Sequence, residues 1–103
     1  MSKYKAQRCG KYASKREANR ASELKILEIA GLVCDLKEQV VFELAGSVVI
    51  QGRKRPPLRY IADFVYSDGG KTIVEDVKGV ITDAYRIKRH LMKSVHGIDI
   101  LET

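Results

Sequence analysis

Tyr60-Ile61-Ala62-Asp63-Phe64-Val65-Tyr66, a Ser67-Asp68-Gly69-Gly70 turn, then Lys71-Thr72-Ile73-Val74-Glu75-Asp76-Val77-Lys78-Gly79 is the stretch that decides the fold of this chain. It reads as two apolar strands joined by a tight hairpin. Asp63 interrupts the first strand, and Glu75, Asp76 and Lys78 interrupt the second. Charge inside strand-forming sequence requires a partner, a metal or a chemical role. Alternation along the first strand puts Arg59, Ile61, Asp63 and Val65 on one side and Tyr60, Ala62, Phe64 and Tyr66 on the other. Along the second, Thr72, Val74, Asp76 and Lys78 share a face, opposite Ile73, Glu75 and Val77. Parity therefore sets Asp76 with Lys78 and sends Glu75 to the opposite layer, where a basic partner is expected.

Upstream, Ser14-Lys15-Arg16-Glu17 has capping-box spacing and opens a helix that Gly31 ends. Ala18, Ala21, Leu24, Leu27 and Ile29 form its apolar side. Val33 to Leu44 reads as a strand, Val48 to Ile50 as a short return strand, and Gln51 to Pro57 as a loop, because Pro56-Pro57 stops strand pairing. Downstream of the hairpin, Thr82 or Asp83 caps a second helix running to about His96, with Ala84, Ile87, Leu91 and Val95 as its apolar stripe. Its remainder is basic, and a short strand from Ile98 to Leu101 follows. The order predicts an α/β fold over residues 1–103: helix, three or four strands, helix, strand, with a central mixed sheet flanked by helices.

The 103 residues suit one domain with a modest core. Lys and Arg outnumber Asp and Glu by 19 to 13, a net charge of +6 that suits a polyanion, of which nucleic acid is the commonest. A basic arm over residues 1–12, carrying Tyr4 and Tyr12, is either a solvated tail or a segment lying along a phosphate backbone. Arg53-Lys54-Arg55 is either a solvated loop tip or a phosphate-contacting finger. No apolar run approaches the roughly 20 residues a bilayer span needs, and no secretory signal is expected behind the basic N-terminus. Cys9 and Cys34 are read as reduced and structural, the usage of a cytoplasmic protein.

The chemistry lies in acid-x-Lys. On a strand, the carboxylate and ammonium of such a triplet share a face, and a carboxylate on the neighbouring strand can complete a divalent-metal site. Such a metal lowers the pKa of a bound water and neutralises charge on a phosphodiester, while the lysine holds or deprotonates the water. Glu23-x-Lys25 falls on a helix, where positions two apart diverge. Asp35-x-Lys37 lacks an acid-bearing partner strand. Only Asp76-x-Lys78 follows a strand with an embedded acid, Asp63. The plainer alternative is an Asp76–Lys78 ion pair without chemistry. Glu17 is fully explained as a helix cap and also stands available to a site.

Tyr60 to Tyr66 followed by Val74-Glu75-Asp76-Val77-Lys78-Gly79 resembles the two-strand signature of the PD-(D/E)xK nuclease superfamily, particularly small phage and prophage endonucleases related to Holliday-junction resolvase-like proteins. Ser14 to Glu17 and Gln39 add to the likeness; Ala62 stands where many members have Pro. The resemblance implies a restriction-endonuclease-like fold with Asp63 and Asp76 as metal ligands and the Val77 carbonyl as a third. It implies Lys78 as the catalytic lysine, Glu17 as a first-helix acid aimed at the metal, and Lys88 as a second-helix residue facing the site. Mg²⁺ or Mn²⁺ is the implied cofactor.

The resulting expectation is an endonuclease acting on duplex or branched DNA in phage recombination or DNA processing. Arg16, Lys88 and Arg53-Lys54-Arg55 are expected at the DNA. A domain this small has little surface for reading sequence, which favours structure-selective cutting, and paired cuts at a junction suit a homodimer. The alternative is a nucleic-acid-binding protein that cuts nothing.

Overall fold

The computed structural model describes residues 10–103; most of the basic arm, with Tyr4 and Cys9, lies outside the described residues. The elements run α1 (Lys15–Ile29), β1 (Cys34–Ala45), β2 (Val48–Ile50), β3 (Arg53–Arg55), β4 (Leu58–Asp68), β5 (Lys71–Asp76), α2 (Asp83–His96) and β6 (Leu101–Glu102). Five strands, rather than three or four, therefore separate the helices. The main sheet has the order β1-β4-β5-β6, antiparallel except for β6, which runs parallel to β5. This is a small α/β protein built on a mixed sheet.

α1 starts where its capping sequence places it. Ser14 is the N-cap, and its Oγ accepts from the Glu17 amide at 3.1 Å, a bond worth about 1 kcal/mol. Ala21 and Leu24 are buried beneath it with Phe64, Tyr66 and Val33. Tyr12 packs against this cluster, and its hydroxyl accepts from Lys25 Nζ at 3.2 Å, which anchors the ring to α1.

The Asp68–Lys71 pair closes the β4–β5 hairpin around Gly69 and Gly70, at φ +61 and +81. Both values are the left-handed ones that a two-residue turn requires. β5 ends at Asp76, so Val77 and Lys78 lie just beyond the strand and not within it. The ladder nevertheless continues there: the Thr103 amide donates to the Asp76 carbonyl and the Lys78 amide to the Thr103 carbonyl, each at 3.0 Å.

Simple alternation fails in β4. Tyr60 and Ala62 pack with Tyr85 and Met92 of α2, whereas Phe64 and Tyr66 pack with Ala21 and Leu24 of α1. These clusters occupy opposite sides of the sheet, since adjacent Ile73 and Val74 of β5 divide between them. β1 turns over in step: Leu36 joins the α1 cluster, while Phe42 and Leu44 join the α2 cluster. Pairing continues across the change, with Glu38 opposite Phe64 and Val40 opposite Ala62. Between those pairs stand Gln39, whose φ of +55 reverses the facing of β1, and Asp63. Sequence parity sees no such reversal, which is why it places all four of Tyr60, Ala62, Phe64 and Tyr66 together.

Two further expectations change. Arg53-Lys54-Arg55 is a strand, β3, paired with β2 in a separate two-stranded sheet, so the segment is a hairpin arm and not a loop. In α2 the buried residues are Tyr85 and Met92; of the expected stripe only Leu91 packs, and Ile87 and Val95 are exposed. Tyr85 and Met92 are seven positions apart and fill the helix face that the β-sheet covers. No helix among the described residues is long and apolar enough to cross a membrane.

Candidate acid and lysine site

Asp63, Asp76, Lys78 and Lys88 line one cleft of about 330 Å³, together with Arg59, Tyr60 and Tyr85. β4 contributes Asp63 at its change of facing, the end of β5 contributes Asp76, and α2 supplies Tyr85 and Lys88. A larger groove of about 800 Å³ runs along α2 and is lined only by that helix's residues, with neither Asp63 nor Asp76 among them.

Asp63 is held from several directions. Its Oδ2 accepts from the Val77 amide at 2.9 Å, and its Oδ1 from Gln39 Nε2 at 3.5 Å. Burial raises its pKa, and a hydrogen bond shared with Asp76 raises it further; the Val77 amide opposes both, and the result is about 7. A neighbouring carboxyl disfavours negative charge on Asp63. Asp76 is only 2% exposed, and its Oδ2 meets Lys78 Nζ at 2.9 Å. The ammonium also sits 4.1 Å from the Tyr85 ring centroid, which holds it by cation–π attraction. Tyr85 is fixed in turn by its hydroxyl, which donates to Glu102 Oε2 at 2.7 Å. Sequence reading finds neither Tyr85 nor Glu102 as parts of this arrangement, because no local pattern announces a contact made across α2 and β6.

Glu17 is buried in the first turn of α1, and its Oε2 accepts from Gln39 Nε2 at 3.3 Å. Gln39 thus bridges Glu17 and Asp63, and the Glu17 charge adds to the upward push on Asp63. Tyr60 is the least expected member. Its hydroxyl is buried without a hydrogen-bond partner among the described residues, and burial followed by the charge of Asp76 raises its pKa.

Glu75 takes the opposite route, as parity predicts. It is fully buried and binds Arg20 Nε at 2.6 Å, the Tyr66 hydroxyl at 2.7 Å and Thr103 Oγ1 at 2.9 Å. The remaining expected residues disperse. Arg16 lies exposed on α1 beside a separate groove that includes Val77 and Thr103. Arg53, Lys54 and Arg55 belong to the hairpin arm. The basic character of α2 is largely neutralised: Arg86 pairs with Asp83 at 3.4 Å, Arg89 with Glu102 at 2.8 Å and Lys93 with Asp99 at 3.0 Å. Lys88, which lines the cleft, makes no ion pair among the described residues.

Among the described residues no group of three or more His, Cys, Asp or Glu side chains forms a ready metal cage. Mg²⁺ needs less than that: it takes one or two carboxylates and completes its shell with waters and phosphate oxygens. Two carboxyl groups and a buried phenol lining one cleft are a hard-oxygen donor set of that kind.

An α/β protein with a mixed sheet, two helices and an acid-and-lysine cleft is what the fold and geometry define. A family model matches residues 1–98, and the chain belongs to that family, DUF1064, described as a protein of unknown function. No curated protein and no solved structure matches the chain.

Proposed function

We propose that this protein is a metal-dependent DNA endonuclease of restriction-endonuclease-like architecture, with Asp63, Asp76 and Lys78 at its centre. The observation that carries the reading is the convergence of Asp63, Asp76 and Lys78 on one cleft, with Lys78 Nζ 2.9 Å from Asp76 Oδ2. Mg²⁺ or Mn²⁺ would be held by Asp63 and Asp76, with the Val77 carbonyl and Glu17 as further donors. Bound there, the ion supplies a water of lowered pKa and neutralises charge on the phosphate.

This chain's own residues supply the rest. Lys78, steered by Asp76 and the Tyr85 ring, holds the attacking water or the phosphate oxygen that gains charge. Arg59 and Lys88, lining the same cleft, draw the phosphodiester in. Gln39 and the Val77 amide fix Asp63, so the two carboxylates keep their separation through the reaction. Water adds to phosphorus and the bond to one ester oxygen breaks, leaving a phosphate monoester and a hydroxyl. Branched DNA, including a Holliday junction, is the preferred substrate in this reading, and a homodimer makes the paired cuts.

The test incubates purified protein with branched, single-stranded and duplex DNA in Mg²⁺ or Mn²⁺. Cleavage by the wild type that Asp76→Ala reduces by about 10²-fold or more supports the proposal. Absence of cleavage, or equal cleavage by the variant, defeats it. A second reading, nucleic-acid binding without chemistry, draws on the 2.9 Å Asp76–Lys78 ion pair, which satisfies both groups. Its mark is DNA affinity that falls steeply with salt, with no metal dependence and no cutting.

A further inference from the structure

Cations in this protein divide into two populations. Arg20, Arg86, Arg89 and Lys93 each have an acidic partner within 4.0 Å. Among the described residues Arg53, Lys54, Arg55 and Arg59 have none, as is true of Lys15, Arg16, Lys37, Lys71 and Lys88, but only the first four fall in a run without acids, between Glu43 and Asp63. Three of these four free cations are consecutive residues of β3.

The arm they sit on is a distinct object. β2 and β3 pair only with each other, and no residue of either belongs to the buried clusters. Ile50 opposes Arg53, which leaves Gln51 and Gly52 as a two-residue turn at φ +51 and +77. Directly opposed residues project from the same side of a two-stranded ribbon. One side therefore presents Val48, Ile50, Arg53 and Arg55; the other presents Val49 and Lys54. Val48, Val49 and Ile50 are 52%, 70% and 51% exposed, an unusual outlay of β-branched surface for strands that bury nothing.

We infer that the β2–β3 ribbon is a DNA-docking arm that lies in the major groove of B-form duplex beside the cleft. A two-stranded ribbon fits that groove, about 12 Å wide, whereas the major groove of A-form RNA is too deep and narrow to admit one. Guanidinium groups flanked by aliphatic side chains match the groove floor, where guanine offers paired acceptors and thymine a methyl group. Lys54 on the opposite side is left for phosphate. Consecutive cations oppose pairing of this ribbon with a second copy of itself, as lysine does on edge strands generally.

The root of the arm fixes its distance from the cleft. Pro56 and Pro57 link β3 rigidly to β4, and Arg59 on β4 lines the cleft. Arg55 is thus within about 13 Å of Arg59 along the chain, roughly four base pairs of duplex. The inference rests on the reading that the cleft handles DNA, and it adds that the DNA next to the cut is double-stranded.

Binding is measured by fluorescence anisotropy in EDTA, where nothing is cut, on a 20-base-pair duplex DNA, the same sequence as duplex RNA, and one strand alone. Wild type is expected to favour duplex DNA. R53Q/K54Q/R55Q is expected to lose at least tenfold in affinity for it and to flatten the log–log salt dependence by about 1, the share of the phosphate contact of Lys54. V48S/I50S is expected to weaken duplex binding several-fold without changing that slope. Thermal melting confirms that both variants are folded, since the arm lies outside the buried clusters. Unchanged affinity and slope in the charge variant overturns the inference, as does equal dependence of duplex RNA binding on the arm. Arm-dependent DNA binding without cleavage in Mg²⁺ removes the nuclease reading alone. Cleavage combined with arm-independent binding removes the arm alone.

Discussion

Asp63 and Glu75 are two acids placed within strand sequence, and the chain treats them in opposite ways. For Glu75, burial pushes the pKa up, but hydrogen bonds from Arg20, Tyr66 and Thr103 together outweigh it and hold the carboxyl below its ordinary value. A depressed pKa stabilises the fold above the unfolded value of about 4.3 and loses that contribution as pH falls through the folded one. R20M should cost about 3 kcal/mol, the low end for breaking a buried pair, because Arg20 keeps 25% of its side chain exposed. Urea unfolding at pH 7 measures this, and the acid-unfolding midpoint of the variant should lie at higher pH. For Asp63 the sign reverses. Its pKa near 7 means that folding opposes its ionisation; the cost appears as pH rises past about 3.9 and is complete above about 7. Asn preserves the Val77 bond without the charge. D63N should therefore melt higher than wild type at pH 8, by about 4–8 °C for each kcal/mol relieved, and equal to it near pH 3. Under the proposed function, Mg²⁺ should raise the wild-type midpoint at pH 8 and leave that of D63N unmoved.

At the level of elements, the β4–β5 hairpin, α1 with its cap and the separation of Glu75 from Asp76 are legible in the sequence, since each follows from spacing and turn chemistry alone. The change of facing at Gln39 and Asp63 is not, because a single left-handed residue within a strand leaves no mark in hydrophobic alternation. Nor is β3, whose Arg-Lys-Arg composition and trailing prolines imitate a loop. The site is legible in Asp63, Asp76, Lys78 and Lys88, and illegible in Tyr60, Tyr85 and Glu102, whose relevance depends on packing between distant segments. Gln39 offers a direct check. A β-branched side chain tolerates its φ of +55 poorly. Q39V should be destabilised by about 1–3 kcal/mol, whereas Q39G should retain most of the stability while losing the Glu17–Asp63 bridge. Comparing the two by urea unfolding separates backbone strain from side-chain bonding.

Across the whole molecule, a net charge of +6 is spread unevenly. Ion pairs absorb much of the charge on α2, while Arg59 of β4 and Lys88 of α2 meet without an ion pair among the described residues in the cleft. Under the proposed function, R59Q/K88Q should raise KM for DNA by about tenfold and flatten its salt dependence by roughly two, with kcat changed far less. K78A should do the reverse, lowering kcat while leaving binding in EDTA near that of wild type.

The parallel docking of β6 makes the cleft a joint product of segments far apart in the chain. The Asp76 carbonyl accepts from the Thr103 amide, the Lys78 amide donates to the Thr103 carbonyl, and Tyr85 is held by Glu102, so residues 101–103 clamp the acid, the lysine and the ring that steers it. Under the proposed function, removing residues 101–103 should abolish cutting out of proportion to the stability lost, because the carboxylates and lysine remain while the strand that holds them is gone.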